Sequence, residues 1–241
     1  WVRSAALLCS AVALAVLAGL TWRDLPRWRD SASLFKRAID TYPHYAAHYN
    51  YAHVLLREGR PAEAATHFAE SVRQKPDRTE ARYNLGTTLA KMGQVKDARA
   101  VLEDVCRMDR NHIGAWRNLG NLYYVSGDEA KAMMAFQNVY RLNSDDPEII
   151  NNIAWLKAAA VDRNLRKSED AVRLSRMALA MRPDRPDFID TYAAALAANG
   201  DFPGAIAAAE DSIRRYRAAG KVDEAKTVAG RLASYRAGKA L

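Results

Sequence analysis

Apolar and polar positions follow a helical period over most of the chain, and the pattern returns every 34 residues. The stretch YAAHYNYAHVLLREGRPAEAATHFAESVRQKPDR, which begins at Tyr45, aligns without a gap with TEARYNLGTTLAKMGQVKDARAVLEDVCRMDRNH, which begins at Thr79. A third copy begins in step at Ile113. Self-similarity at such a period is typical of repeat proteins in which each unit is one pair of helices. We therefore predict an all-α chain.

Small residues recur where a helix pair must turn or cross. Glycines are predicted to end the first helix of their units in a left-handed conformation, at Gly59, Gly93, Gly127 and Gly200. Alanines are predicted where two helices approach closely, at Ala64, Ala98, Ala132, Ala171 and Ala205. Large apolar residues should fill the space between pairs, at Phe35, Phe68, Leu102 and Phe136. Prolines should stop the second helices, at Pro43, Pro76 and Pro183.

Together these residues resemble the tetratricopeptide-repeat family from about Trp28 to Arg217. The resemblance implies a right-handed superhelical solenoid of antiparallel helix pairs, with a concave face that binds partners. We divide the chain accordingly into a transmembrane helix (1–22), a half-repeat helix (23–44), five repeats (45–78, 79–112, 113–146, 147–185 and 186–219) and a capping helix (220–241).

Two parts of this division depart from the regular repeat. The fourth repeat carries a five-residue excess around VDRNLRKS, and Ser168 is predicted to begin its second helix. The last helix should close the open end of the stack with an apolar stripe of Val222, Ala225, Val228, Leu232 and Tyr235.

The first residues form an uncharged apolar stretch from Ser4 to Trp22, SAALLCSAVALAVLAGLTW. As a helix it covers about 28 Å, close to the hydrocarbon thickness of a bilayer. Tryptophans at its two ends suit the membrane interface. We predict a membrane-spanning helix at residues 4–22; a signal peptide cleaved near Ala18 and a buried core helix are the alternatives.

The orientation of this helix rests on two conflicting arguments. Arg23, Arg27, Arg29, Lys36 and Arg37 follow it, which by charge counting places the repeats in the cytoplasm. The wider layout of the chain favours the periplasm instead. It resembles the carboxyl-terminal part of bacterial multi-spanning proteins similar to the transmembrane and tetratricopeptide-repeat O-mannosyltransferases, through TWRDLPRWRDSASLFKRAIDTYP, NNIAWLKAAA and the ending RLASYRAGKAL.

The O-mannosyltransferase resemblance implies that residues 4–22 are the last spanning helix of a protein of the bacterial inner membrane. It also implies that the repeats lie on the periplasmic side, which is the side we favour. No residue of a transferase site can be carried over onto this chain, because the resemblance covers only the repeat part.

Composition excludes several other functions. Hydrophobic residues make up 49% and charged residues 27%, as in ordinary helical proteins, and the net charge of +8 comes from charges of both signs that alternate along the helices. No aromatic and basic recognition motif indicates nucleic acid. With two cysteines there is no disulfide or metal spacing, and His44, His48 and His53 have no carboxylate to complete a metal site. We predict no catalytic residue, cofactor or metal, and therefore no enzyme in this chain.

Asparagines at a fixed repeat position are the main candidate binding residues. Asn50, Asn84, Asn118 and Asn152 follow one another at 34-residue steps in the first helix of each unit. An amide both donates and accepts, so a row of them can bind the backbone of an extended peptide. This resembles the asparagine ladder in the repeats of O-GlcNAc transferase, while bonds to neighbouring helices are the structural alternative. Other candidates on the same face are Tyr49, His53, Tyr83, Arg117, Asn121 and Trp155.

The sequence thus favours a membrane-anchored scaffold that binds a protein or an extended peptide on its concave face. The alternative is the regulatory or substrate-presenting tail of a multi-spanning membrane glycosyltransferase.

Overall fold

The computed structural model describes residues 31–241, and this part of the chain is helical without a strand. We number its α-helices in chain order: α1 Ser31–Thr41, α2 Tyr45–Arg57, α3 Pro61–Gln74, α4 Thr79–Lys91, α5 Val95–Met108, α6 Ile113–Val125, α7 Glu129–Leu142, α8 Pro147–Ala159, α9 Ser168–Met181, α10 Pro186–Ala198, α11 Phe202–Ala218 and α12 Val222–Arg236. Two helices lie in each predicted repeat. The arrangement is the helical solenoid type expected from the 34-residue pattern.

The described residues fall into two compact units. The amino-terminal unit ends at Asp104, and the carboxyl-terminal unit runs Val105–Leu241, so that the boundary lies within α5. In the amino-terminal unit α1 packs on α2, α2 on α3 and α3 on α4. In the carboxyl-terminal unit consecutive helices pack from α6 to α12, and α8 also contacts α10.

Helix ends follow the local chemistry of the sequence. Gly59, Gly93, Gly127 and Gly200 all have positive φ, between 74° and 84°, which confirms that the chain turns in the left-handed region after the first helix. Aspartates Asp128, Asp146 and Asp201 accept a bond from a backbone N–H in the first turn of the helix that follows each of them. These turns and caps reverse the chain direction between successive helices.

Helix crossings are as close as the small residues indicate. Ala64, Ala98, Ala132, Ala171 and Ala205 are all fully buried, and Phe68, Leu102 and Phe136 are buried beside them. Phe35 is only half-buried in α1. Full burial of a leucine or phenylalanine side chain stabilises the fold by about 1.5 to 3 kcal/mol.

The extra residues of the fourth repeat form a 3₁₀ turn at Arg163–Leu165, and α9 then begins at Ser168. On α12 the residues Ala225, Val228, Leu232 and Tyr235 are buried against α10 and α11, as the apolar stripe predicts. Val222 was wrongly placed in that stripe, because it is the first residue of the helix and 54% exposed. The capping helix therefore packs through four of the five predicted residues.

Among residues 31–241 no helix is both long and apolar enough to cross a bilayer. The predicted spanning helix at residues 4–22, and the first part of the half-repeat at 23–30, lie outside the described residues.

Candidate functional site

In the amino-terminal unit, the asparagine of the second repeat bonds to side chains of the first. Asn84 Nδ2 donates to the hydroxyl of Tyr49 at 3.0 Å and lies 3.3 Å from Nε2 of His53. Each partner comes from α2, one repeat earlier. Three predicted binding residues therefore contact one another, which engages the amide within the protein.

Aromatic rings fill the surroundings of this amide. The ring of Phe68 lies 5.8 Å from Tyr49 and 5.1 Å from His53, both edge to face, and the guanidinium of Arg78 lies 4.6 Å above the Tyr49 ring. Asn50 is exposed, and Tyr83 is half-buried on α4. At the asparagine position this unit offers a cluster of packed aromatic rings.

The three histidines weighed as a metal site do not meet. His44 caps α2, with Nδ1 accepting from the backbone N–H of Ala46 at 3.3 Å. His48 instead faces a histidine of α3, with its Nδ1 2.9 Å from Nδ1 of His67. In residues 31–241 no group of three or more ligating side chains could hold a metal ion.

A cavity of about 300 Å³ opens in the carboxyl-terminal unit. Three predicted binding residues, Asn121, Asn152 and Trp155, line it together. Its other lining residues come from α6, α7, α8, α10 and α12: Tyr124, Phe136, Asn151, Asp187, Asp190, Thr191 and Arg231. Asn152, which occupies the same repeat position as Asn84, therefore lines a cavity.

A second cavity of about 240 Å³ shares part of this lining. Asn121, Asn151, Asn152 and Asp187 belong to both cavities. The second adds the predicted residue Arg117 together with Glu148, Ile149, Arg185 and Phe188. Because their linings overlap, we treat the two cavities as one site, which we call the asparagine groove.

Arginines in the groove are held by carboxylates. Arg231 reaches from α12 to bind Asp190 through Nε and Nη2, and its guanidinium lies 5.2 Å from the Trp155 ring. Arg185 binds both oxygens of Asp187, at 2.8 Å and 2.6 Å. Each pair has the fork geometry that fixes a guanidinium in place.

A third arginine, Arg117, pairs with buried Asp146 at the start of α8. All three arginines that line the groove are therefore paired with a carboxylate of the same unit.

The pKa values of two aspartates of α10 are shifted in opposite directions. Burial raises the pKa of Asp190, and the nearby charge of Arg231 offsets this only in part. Burial also acts to raise the pKa of Asp187, but the bonds and charge of Arg185 outweigh it and lower the pKa below its usual value. Asp187 is therefore ionised at neutral pH.

Two further contacts shape the groove. Trp155 Nε1 donates to the Tyr124 hydroxyl at 2.8 Å, which fixes the indole at the edge of the cavity. Asn151 is 7% exposed, and its Oδ1 has no hydrogen-bond partner among the described residues. A buried acceptor left in this way costs free energy that a donor would recover.

The four asparagines of the predicted row thus have different surroundings. Asn152 lines the groove, Asn84 is engaged by Tyr49, Asn50 is exposed and Asn118 is half-buried on α6. That the four form one peptide-binding row stays a prediction.

Sequence reasoning missed several groove residues. Asn151 follows Arg117 by the same 34-residue step and so carried a signal, and Asp190 follows at the step lengthened by the five extra residues. Tyr124 lies one helical turn after Asn121. Arg231 carried no such signal, because its position depends on how α12 folds against α10.

Comparison with known proteins identifies the repeat. Two family models, both of the tetratricopeptide repeat, match residues 18–79 and 55–122. Together they extend from the last residues of the predicted spanning helix into the third repeat.

The match with curated relatives spans only about a tenth of the length of each relative. Protein O-mannosyl-transferase TMTC1 of Mus musculus is 35% identical over 94 residues, which is 37% of this chain and 10% of the mouse protein. The human protein of the same name is 34% identical over the same shares. The tetratricopeptide repeat-containing protein trd-1 of Caenorhabditis elegans is 26% identical over 46% of this chain and 14% of its own length.

Solved structures share the fold. YrrB, described as a TPR protein with an unusual peptide-binding site, aligns with a TM-score of 0.67 at 18% identity, over 82% of this chain and all of its own. MamA 41-end from Desulfovibrio magneticus RS-1 aligns with a TM-score of 0.64 at 18% identity, over 72% of this chain and 96% of its own.

Proposed function

We propose that this chain, which is built from tetratricopeptide repeats, is a scaffold whose carboxyl-terminal unit binds an extended segment of a partner protein. The observation that carries the proposal is the asparagine groove, in which Asn121, Asn151 and Asn152 line adjoining cavities. Peptide groups present one donor and one acceptor each, and the amides can pair with both whatever the partner's side chains. No catalytic step is assigned to this chain.

Preorganisation supports this role. The arginine pairs and the bond from Trp155 to Tyr124 already hold the groove side chains in single positions, so a peptide would find them ordered. Ordering side chains on binding costs about 0.5 to 1.5 kcal/mol each, and a preformed groove avoids part of that cost. The description of YrrB as peptide-binding adds support at the level of the fold class.

An array of immobilised, end-blocked decapeptides of varied sequence tests the proposal. The wild-type chain is compared with Asn151→Ala combined with Asn152→Ala, after circular dichroism shows equal helicity. Each neutral hydrogen bond contributes about 0.5 to 1.5 kcal/mol, so the double variant should bind its peptides roughly tenfold more weakly or worse.

The control is the pair Asn50→Ala and Asn84→Ala in the amino-terminal unit, which should retain wild-type binding. Equal losses in both double variants would refute the assignment to the groove, and an array that retains no peptide at all would refute peptide binding.

We further propose that residues 4–22 anchor the repeats to a bacterial inner membrane, with the repeats on the periplasmic side. The uncharged stretch between Arg3 and Arg23 supports this. Partition of the full chain with membranes, and its release when residues 1–22 are deleted, are the expected results. A full chain that stays soluble and monomeric without detergent would contradict the anchor.

A second candidate is that these repeats present substrate to, or regulate, a membrane glycosyltransferase. It is favoured by the similarity to protein O-mannosyl-transferase TMTC1, which covers 10% of that protein. The sequence of the gene upstream of Trp1 distinguishes the two. Eight or more further apolar spans would favour the transferase, and a start codon directly before Trp1 would favour the anchored scaffold.

A further inference from the structure

The asparagine groove differs in charge from the chain that contains it. The whole chain carries a net charge of +8. Among the lining residues, Arg117, Arg185 and Arg231 are balanced by Glu148, Asp187 and Asp190, three charges of each sign, and Asp146 lies behind Arg117. The groove therefore lacks the positive excess of the rest of the chain, and a further carboxylate lies behind it, so its charge suits a cationic ligand better than an anionic one.

The arginines of the groove are poorly placed to bind an acidic ligand. Each already donates to a carboxylate of its own, and an acidic side chain would have to compete with that carboxylate and lie beside it. For Arg231 and Asp190, which are largely buried, breaking the pair is costly because it leaves one charge unpaired.

The carboxylates, in contrast, keep accepting capacity. An ionised carboxylate has about four lone-pair sites. Arg185 occupies one site on each oxygen of Asp187, and Glu148 makes one long contact of 3.5 Å with the same arginine. A further N–H donor can therefore approach Asp187, which lines both cavities.

Two independent features point to a ligand with both a donor and an aliphatic stem. Asn151, more than nine-tenths buried, lines both cavities and holds an acceptor without a partner among the described residues. Trp155 and Tyr124 line the larger cavity with apolar ring surface. Methylene stems of Lys and Arg lie along such surfaces while the charged end reaches polar groups.

We propose that the groove selects a partner segment bearing a Lys or Arg side chain, whose stem lies along Trp155 and Tyr124 and whose cationic end binds Asp187. The inference rests on the proposed peptide-binding function and specifies its ligand. Asn151 and Asn152 bind the peptide backbone on either side of that side chain.

Four end-blocked heptapeptides test this, identical except for a central Lys, Arg, norleucine or Glu. Binding to the full chain is followed by the NMR shift of the Trp155 indole N–H. Lys and Arg peptides should bind about tenfold or more tightly than the norleucine peptide, since a charge-assisted bond is lost with the charge. The Glu peptide should bind most weakly, and added salt should narrow the differences.

Asp187→Asn should remove the preference for Lys and Arg. The matched control is Asp184→Asn, because the side chain of Asp184 is 98% exposed in the same unit and lies outside both cavities. If Asp187→Asn unfolds, Glu148→Gln replaces it and should reduce the preference.

Each other outcome overturns part of the account. Equal binding of all four peptides, or tightest binding of the Glu peptide, refutes the charge selection and leaves peptide binding intact. No shift with any peptide refutes both.

Discussion

Asn84 and Asn152 occupy the same position of the repeat, two units apart, and the two regions of the molecule use them differently. In the amino-terminal unit Asn84 bonds to Tyr49, among the rings of His53 and Phe68. In the carboxyl-terminal unit Asn152 lines two adjoining cavities.

The difference arises from the residue one repeat earlier. Asn84 is preceded at the neighbouring position by Tyr49, whose hydroxyl accepts from the amide. Asn152 is preceded there by Arg117, which pairs with Asp146 and lines the same cavity as Asn152. The repeat position therefore sets where an amide lies, and the preceding unit decides whether a ligand can reach it.

The largest effect is expected from Phe68→Ala, which removes the ring beneath Tyr49 and His53. Phe68 is fully buried, so the variant should lose about 3 to 5 kcal/mol of unfolding free energy. Hydrogen exchange should rise in α2 and α3. The control Tyr42→Ala, at a 73% exposed ring, should change stability by less than about 0.5 kcal/mol. Equal small effects in both would show that the rings do not hold this unit.

A smaller difference in stability is expected when alanine replaces each of two glycines that occupy the same repeat position. A methyl on Gly120 would lie 2.6 Å from Cδ1 of Phe136, and one on Gly86 would lie 2.7 Å from Cγ of Leu102. A leucine can rotate away more readily than a buried ring. Gly120→Ala should therefore cost about 1 to 3 kcal/mol through overpacking.

In Gly86→Ala the gain in helix propensity, about 1 kcal/mol, should offset most of the strain. Thermal unfolding of both variants measures this, and a larger loss for Gly86→Ala would contradict the packing argument.

Mild acid should loosen the amino-terminal unit selectively. Burial lowers the pKa of His48, His53 and His67 from the usual 6.5, and the charge of His48 lowers the pKa of His67 further. The unfolded chain then binds more protons as pH falls, so the stabilisation is complete above pH 6.5 and is lost below it.

Hydrogen exchange at pH values from 7.5 to 5, corrected for intrinsic rates, should show α2 and α3 losing protection relative to α10. His67→Gln should weaken the dependence, while His44→Gln, at an exposed position, should not. A uniform loss across both units would contradict the assignment.

The smallest effect is expected from Tyr49→Phe, which removes the acceptor of the Asn84 amide and keeps the ring. The loss should be about 0.5 to 1.5 kcal/mol. NMR should show the Asn84 side-chain N–H shifting towards the value of a solvated amide. An unchanged shift would mean that the bond is absent in solution.

The sequence could predict the positions that recur in every repeat. It could not predict the contacts that side chains of other helices make with those positions. The 34-residue step placed Gly93, Ala98 and Asn152 because each is set by its own helix pair. Whether Asn84 is engaged depends on the side-chain rotamer of Tyr49, and no period encodes that. Arg231 enters the groove only because α12 folds back on α10, a contact between residues 41 apart in the chain.

The central claim is that peptide binds in the carboxyl-terminal unit and not at the equivalent face of the amino-terminal unit. Hydrogen exchange of the full chain, saturated with the tightest peptide of the array, tests it most directly. We predict added protection in α6, α8 and α10, with none in α2 and α4. Protection that appears in α2 and α4 while α8 and α10 stay unchanged would contradict the claim.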